Sequence, residues 1–178
     1  MDTLIGIYAE LLAQGHGSDK GTEHSYLPFY EGVLASVREQ PIRLLEIGVL
    51  NGDSLRLWRR YFVAAEVVGI DINPDTPLVD GTTLVIGDAR QTGMAVDLGQ
   101  FDVIVDDGSH APDDVVAVFA EIFPHLAPGG LYVIEDIEHD EAARRYHALA
   151  AFTEVDFRPS GGQFNDRLMW TVKAHSGL

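Results

Sequence analysis

FDVIVDDGSH, residues 101–110, decides how this chain is read. Val103, Ile104 and Val105 form an apolar run without polar alternation, which fits a strand covered on both faces. The run then delivers Asp106 and Asp107, a glycine turn, a hydroxyl and the imidazole of His110. A second apolar run, Leu131 to Ile134, ends in Glu135 and Asp136. Two such strand ends lying side by side would hold a divalent metal next to a general base.

Working outward from that stretch, strands alternate with helices from Ile42 onward. The expected strands are Arg43–Ile47, Val67–Ile72, Thr83–Ile86, Asp102–Val105, Leu131–Ile134, Thr153–Phe157 and Leu168–Val172. Helices are expected at Ser54–Phe62, Asp75–Leu78, Arg90–Leu98, Asp113–His125 and Asp140–Ala151. The pattern predicts an α/β fold: a Rossmann-like, doubly wound, seven-stranded and mostly parallel sheet, with an antiparallel C-terminal hairpin around Gly161-Gly162. Before it, residues 2–13 carry Leu4, Ile7, Tyr8, Leu11 and Leu12 on one helical face, Gln14–Ser25 reads as a glycine-broken loop, and a helix starts near Tyr26 with Pro28 in its first turn. One domain is expected over 1–178, with 1–40 as a helical lid segment and 41–178 as the core.

Composition narrows the function. A formal net charge of −16, with two lysines and ten arginines, argues against a nucleic-acid partner, since phosphate binding needs clustered cations. No cysteine is present, so a metal must be held by oxygen or imidazole. No apolar run approaches the roughly 18 residues of a membrane span, and the first residues lack a signal-peptide pattern. A cytoplasmic protein without membrane contact is the expectation.

The first strand runs into LLEIGVLNGDS, with Glu46, Gly48, Gly52 and Ser54 in the turn that opens a helix. Glycines let backbone approach a ligand, and a helix start offers free N–H groups. The acid precedes the first glycine, which departs from the dinucleotide fingerprint G-x-G-x-x-G and resembles the first motif of class I methyltransferases that use S-adenosylmethionine. Asp71 at the next strand end would accept ribose hydroxyls, and Asp88 after the third strand would lie near the adenine. Each acid alone could be a turn or cap, but three at successive strand ends point to a cofactor.

At the switch point, where the first and fourth strands should be neighbours, Asp107, Glu135 and Asp136 would meet. Three carboxylates suit Mg²⁺, a hard cation that takes oxygen ligands. His110 beside them could remove the proton of a hydroxyl as a methyl group arrives, an effect worth ~10²- to 10⁴-fold. Asp106 reads as structural.

Together SDKG(x)2HSYLPFYE, LLEIGV(x)2G(x)SLRLW, VVGIDI, DVIVDDGSH and LAPGGLYVIEDI, spanning about Ser18 to Ile137, resemble the metal-dependent sugar O-methyltransferases of macrolide biosynthesis, of the mycinamicin and tylosin type. The resemblance implies S-adenosylmethionine and Mg²⁺ as cofactors, Asp107, Glu135 and Asp136 as metal ligands, and His110 as base. It implies a small hydroxylated acceptor, and a segment carrying Asp19, Lys20, His24 and Tyr26 folded over cofactor and acceptor. The chain is shorter than those enzymes, so the chemistry transfers better than the substrate; the loop Gly161–Arg167 is a candidate acceptor wall or only a hairpin turn. Association into a homo-oligomer is left open. The alternatives are a non-catalytic S-adenosylmethionine-binding protein and a nicotinamide-dependent oxidoreductase; the latter lacks the tyrosine-lysine pair of the common short-chain enzymes.

Overall fold

The computed structural model describes residues 3–93 and 96–175. Seven strands form one sheet in the order β3-β2-β1-β4-β5-β7-β6: β1 Arg43–Ile47, β2 Glu66–Asp71, β3 Thr83–Ile86, β4 Phe101–Asp106, β5 Leu126–Ile134, β6 Thr153–Asp156 and β7 Arg167–Val172. The first five strands are mutually parallel, and β7 runs antiparallel to both β5 and β6. This is the doubly wound architecture expected.

Helices α1 (Leu4–Ala13), α3 (Leu27–Leu34) and α4 (Asp53–Tyr61) cover one face, while α5 (Pro112–Ile122) and α6 (Asp140–His147) cover the other. Successive strand residues point to opposite faces, so β1 divides its apolar side chains between two cores. Leu44 packs with Val67, Val103 and Trp58, whereas Leu45 packs with Val68, Ile104 and Phe119. Both faces are dry, which is why these strands read as unbroken apolar runs. Helix α5 starts at Pro112 with Asp113 and Asp114 in its first turn, where fixed φ and negative charge both favour initiation.

Several local expectations shift. The loop expected at Gln14–Ser25 contains a one-turn helix, α2 (Asp19–Thr22), whose Ser18 side chain accepts from the Lys20 N–H at 3.3 Å. No helix forms at Asp75–Leu78, where Asn73-Pro74-Asp75 makes a turn instead. The helix expected at Arg90–Leu98 is a turn at its start and a single 3-10 turn at Val96–Leu98; residues 94 and 95 lie outside the described residues. Strand β5 starts earlier than expected, at Leu126, passing Pro128 and Gly129 through a register shift against β4. No helix among the described residues is long and apolar enough to cross a membrane.

Strands β1 and β4 are neighbours although α4, β2 and β3 separate them in sequence. Their carboxyl ends therefore open a crevice at the switch point, where ligands collect in such sheets.

Candidate active site

The crevice is shaped by one close approach. Gly48, at φ +84°, sits so near β4 that a Cβ there would lie 2.0 Å from the carbonyl oxygen of Asp107. The Gly48 N–H donates to Ile70 O and the Asp107 N–H to Ile47 O, both at 2.9 Å, so three strand ends are stitched together. Beyond them lies a cavity of about 500 Å³, with Gly48, Ser54, Asp71, Asp88, Asp107 and His110 among its lining residues. Asp19 lines it as well, brought over from α2.

Asp71 holds the floor of the cavity. Its Oδ2 accepts from the N–H groups of Val49 (2.8 Å) and Leu50 (2.9 Å), and its Oδ1 from Asn73 (2.8 Å). Burial works against its charge, but these donors outweigh burial and hold the carboxyl below its ordinary range. Asp88 is gripped by the fork of Arg90, with Nε and Nη2 each 2.8 Å from a carboxylate oxygen, and this pairing holds its carboxyl at about 2. Arg90 also reaches Asp114 at 2.6 Å, and Ser109 donates to the other oxygen of Asp114 at 2.6 Å. Arg90 was not among the residues singled out by sequence; its two-residue spacing from Asp88 was the available signal.

Two of the expected cofactor contacts stand behind the wall instead. Glu46 is fully buried beneath the crevice, accepting from Ser54 Oγ (2.7 Å) and Trp58 Nε1 (3.2 Å), with Lys20 Nζ 3.2 Å away. Burial pushes its carboxyl up in spite of Lys20. Gly52, at φ +81°, caps α4 against Val79 and Arg56. Glu46 lies within β1 on the same face as Leu44, so its side chain points into the layer beneath α4 and not over the loop that follows.

At the other end of the cavity, Asp107, His110 and Asp136 converge, each offering an atom within 4.8 Å of the others. His110 Nε2 lies 4.0 Å from Asp107 Oδ1 and 3.9 Å from Asp136 Oδ2. Both His110 and Asp136 adopt left-handed backbone conformations, at φ +57° and +56°. Such conformations in non-glycine residues are disfavoured and cluster at functional sites.

Glu135, the third expected ligand, also has protein partners. Its Oε2 accepts from Lys20 Nζ at 2.7 Å and its Oε1 from the Tyr30 hydroxyl, so both oxygens are engaged behind the convergence point. Lys20, His24 and Tyr26 reach the carboxylates from behind, while Asp19 of the same segment lines the cavity. Lys20 contacts Asp107, Glu135 and Glu46. The Tyr26 hydroxyl donates to Asp136 Oδ1 at 2.7 Å, and His24 Nε2 lies 3.4 Å from Asp136 Oδ2. Tyr30 and Trp58 were missed because an aromatic at helical spacing reads as core, which both also are.

The methyltransferase-domain family matches residues 45–137, which contain the strand ends that open the crevice and the converging Asp107, His110 and Asp136. The chain belongs to that family. Among similar proteins, a methyltransferase of Streptomyces olivaceus, the 8-demethyl-8-alpha-L-rhamnosyl tetracenomycin-C 2'-O-methyltransferase, is 40% identical over 139 residues, covering 71% of this chain and 37% of that protein. The mycinamicin VI 2''-O-methyltransferase of Micromonospora griseorubida is 38% identical, covering 66% and 32%. The structure of the mycinamycin-pathway methyltransferase MycE with Mg, S-adenosylhomocysteine and mycinamycin VI superposes with a TM-score of 0.66 at 34% identity, over 73% of this chain and 38% of that one. The chain thus spans about a third of the length of these relatives.

Proposed function

We propose that this methyltransferase is an S-adenosylmethionine-dependent, Mg²⁺-assisted O-methyltransferase acting on a hydroxyl of a small natural product, a sugar of a glycosylated polyketide- or macrolide-like compound. The observation that carries the reading is the convergence of Asp107, Asp136 and His110 at one end of a cavity whose other walls include Gly48, Asp71 and Asp88.

The residues fit both cofactors. The cavity, about 500 Å³, lies within the range of small-molecule sites. Gly48 and Ser54 would face the methionine portion. Asp71 would receive the ribose through Oδ1, which takes one N–H and keeps a lone pair while Oδ2 takes two, and Asp88 would sit near the adenine. For the cation, Asp107 and Asp136 supply hard oxygen donors, with Glu135 as the third carboxylate, shared with Lys20 and Tyr30. Burial pushes the carboxyls of Asp107 and Glu135 upward despite Lys20, and a dication bound beside them would favour their charged forms.

When bound, S-adenosylmethionine supplies an electrophilic methyl group and Mg²⁺ supplies charge that eases ionisation of the acceptor hydroxyl. Mg²⁺ prefers oxygen, which leaves the His110 imidazole free as general base. His110 Nε2 would take the proton of the acceptor hydroxyl, while the bound cofactor would give up its methyl group to the acceptor oxygen and leave as S-adenosylhomocysteine. The sugar acceptor is supported by relatives whose names carry a rhamnosyl or olivosyl group, the tetracenomycin-C 2'-O-methyltransferase and the L-olivosyl-oleandolide 3-O-methyltransferase.

The test is formation of S-adenosylhomocysteine from S-adenosylmethionine across a panel of deoxysugar glycosides, with EDTA and Mg²⁺ add-back. Product that vanishes with EDTA and returns with Mg²⁺ is expected. Full activity in EDTA removes the metal from the mechanism, and cofactor binding without product across the panel favours a non-catalytic binding protein.

A further inference from the structure

The hairpin between β6 and β7 brings a buried carboxylate, Asp166, up behind the converging groups. Asp166 is completely inaccessible to solvent. Its Oδ1 accepts from the Ser25 N–H at 3.2 Å and lies 3.7 Å from His24 Nδ1, while its Oδ2 has no hydrogen-bond partner among the described residues. The opposite nitrogen of the same imidazole, His24 Nε2, faces Asp136 Oδ2 at 3.4 Å. The ring is clamped in this orientation by stacking on Tyr26, with centroids 4.8 Å apart and planes 8° from parallel. The same hairpin also bonds to the backbone next to Asp136, because Arg167 O accepts from the Ile137 N–H at 3.0 Å.

We infer that Asp166 is a positioning residue for the metal site: through His24 it fixes the orientation of Asp136 Oδ2, the oxygen that faces His110. The inference rests on the metal-site reading above. The imidazole lies between two carboxylates, with Nε2 toward Asp136 and Nδ1 toward Asp166 without a hydrogen bond, and its stacking on Tyr26 presents one defined edge to Asp136. Asp136 needs such support because its left-handed backbone is not self-sustaining. Outer partners of this kind alter metal affinity by 10- to 100-fold in other sites. A carboxylate left fully buried with one oxygen unpartnered is costly to keep for folding alone, and the Ser25 contact needs only one oxygen.

The experiment compares Mn²⁺ binding by titration calorimetry in the 178-residue chain and its Asp166→Asn variant, with S-adenosylhomocysteine binding and thermal unfolding measured alongside. Asparagine retains an oxygen for the Ser25 N–H while removing the charge that faces His24. About tenfold weaker Mn²⁺ binding, with S-adenosylhomocysteine affinity unchanged, is expected. The same substitution in a His24→Gln background should add no further loss, because Asp166 acts through that ring. Unchanged Mn²⁺ affinity in folded Asp166→Asn overturns the inference and leaves the metal site standing. Absence of Mn²⁺ binding by the unsubstituted chain overturns the metal reading itself and this inference with it. Should Asp166→Asn fail to fold, His24→Gln alone carries the test from the other end of the chain of contacts, with the same tenfold loss expected and an unchanged affinity decisive against.

Discussion

The Nζ of Lys20 lies 2.6 Å from Asp107 Oδ2, joining a four-residue helix near the N-terminus to the end of the central strand β4, 87 residues away. The lysine is fully buried and also meets Glu135 at 2.7 Å and Glu46 at 3.2 Å. Burial by itself would discharge it, but Asp107, Glu135 and Glu46 outweigh burial and hold its ammonium well above the ordinary lysine range. Lys20 therefore serves as a fixed internal cation that keeps several acids tolerable in one place, and it ties the N-terminal segment to the site. Removing one member of such a buried group leaves the others unpaired, at about 3 to 5 kcal/mol. Lys20→Met should lose that much unfolding free energy in urea; a loss under about 1 kcal/mol would show that water reaches the carboxylates.

His110 and Asp107 should separate in their effects. His110→Ala is expected to retain Mn²⁺ and S-adenosylmethionine affinity while turnover falls by ~10²- to 10⁴-fold, the range of a lost general base. Asp107→Asn should weaken Mn²⁺ binding directly, since it removes a charged oxygen at the convergence point. If His110→Ala lowers metal affinity as steeply as Asp107→Asn does, the imidazole is a ligand and the base must be sought elsewhere.

Gly48→Ala tests the crevice geometry. The new methyl would lie 2.0 Å from the Asp107 carbonyl oxygen at a backbone φ of +84°, so strain and steric displacement add. The expected cost is about 2 to 4 kcal/mol. Because the displaced backbone carries Asp107, S-adenosylmethionine affinity should fall together with stability, and calorimetry would separate this outcome from one in which only stability changes.

The core of the fold was legible because strands dry on both faces leave continuous apolar runs, and the helices between them carry their own starts, as Pro112-Asp113-Asp114 does. The short helix α2 was not legible: four residues give no periodicity, and its cause is tertiary, the reach of Lys20 to Asp107. Among site residues, Asp71, Asp88, Asp107 and His110 follow strand ends in the sequence and line the cavity in space. Glu46 shared the same signal but lies within β1, in register with Gly69 and two positions short of Asp71, where its side chain is buried against Ser54 and Trp58. Asp166 gave no sign because its partners, Ser25 and His24, are some 140 residues distant.

Asp106, the neighbour of Asp107, offers a pH signature. Burial pushes its carboxyl up to about 7, against the hydrogen bond from Tyr132. In the unfolded chain an aspartate titrates near ~3.9. Between those values the folded protein holds a proton that the unfolded chain has released, so this group's contribution is fully present below about pH 4 and is lost as pH rises through about 7. Measured in EDTA to keep the site free of metal, unfolding free energy should therefore decline across that interval. Glu46, Asp107 and Glu135 are pushed in the same direction and remain in both proteins, so the difference between the unsubstituted chain and Asp106→Asn isolates the one group. Asparagine can still accept from Tyr132 but does not titrate, and its stability curve should be flatter by up to roughly 4 kcal/mol over those three pH units. Parallel curves would mean that Asp106 ionises in the fold as readily as in the unfolded chain, and that the tight packing at the end of β4 admits water.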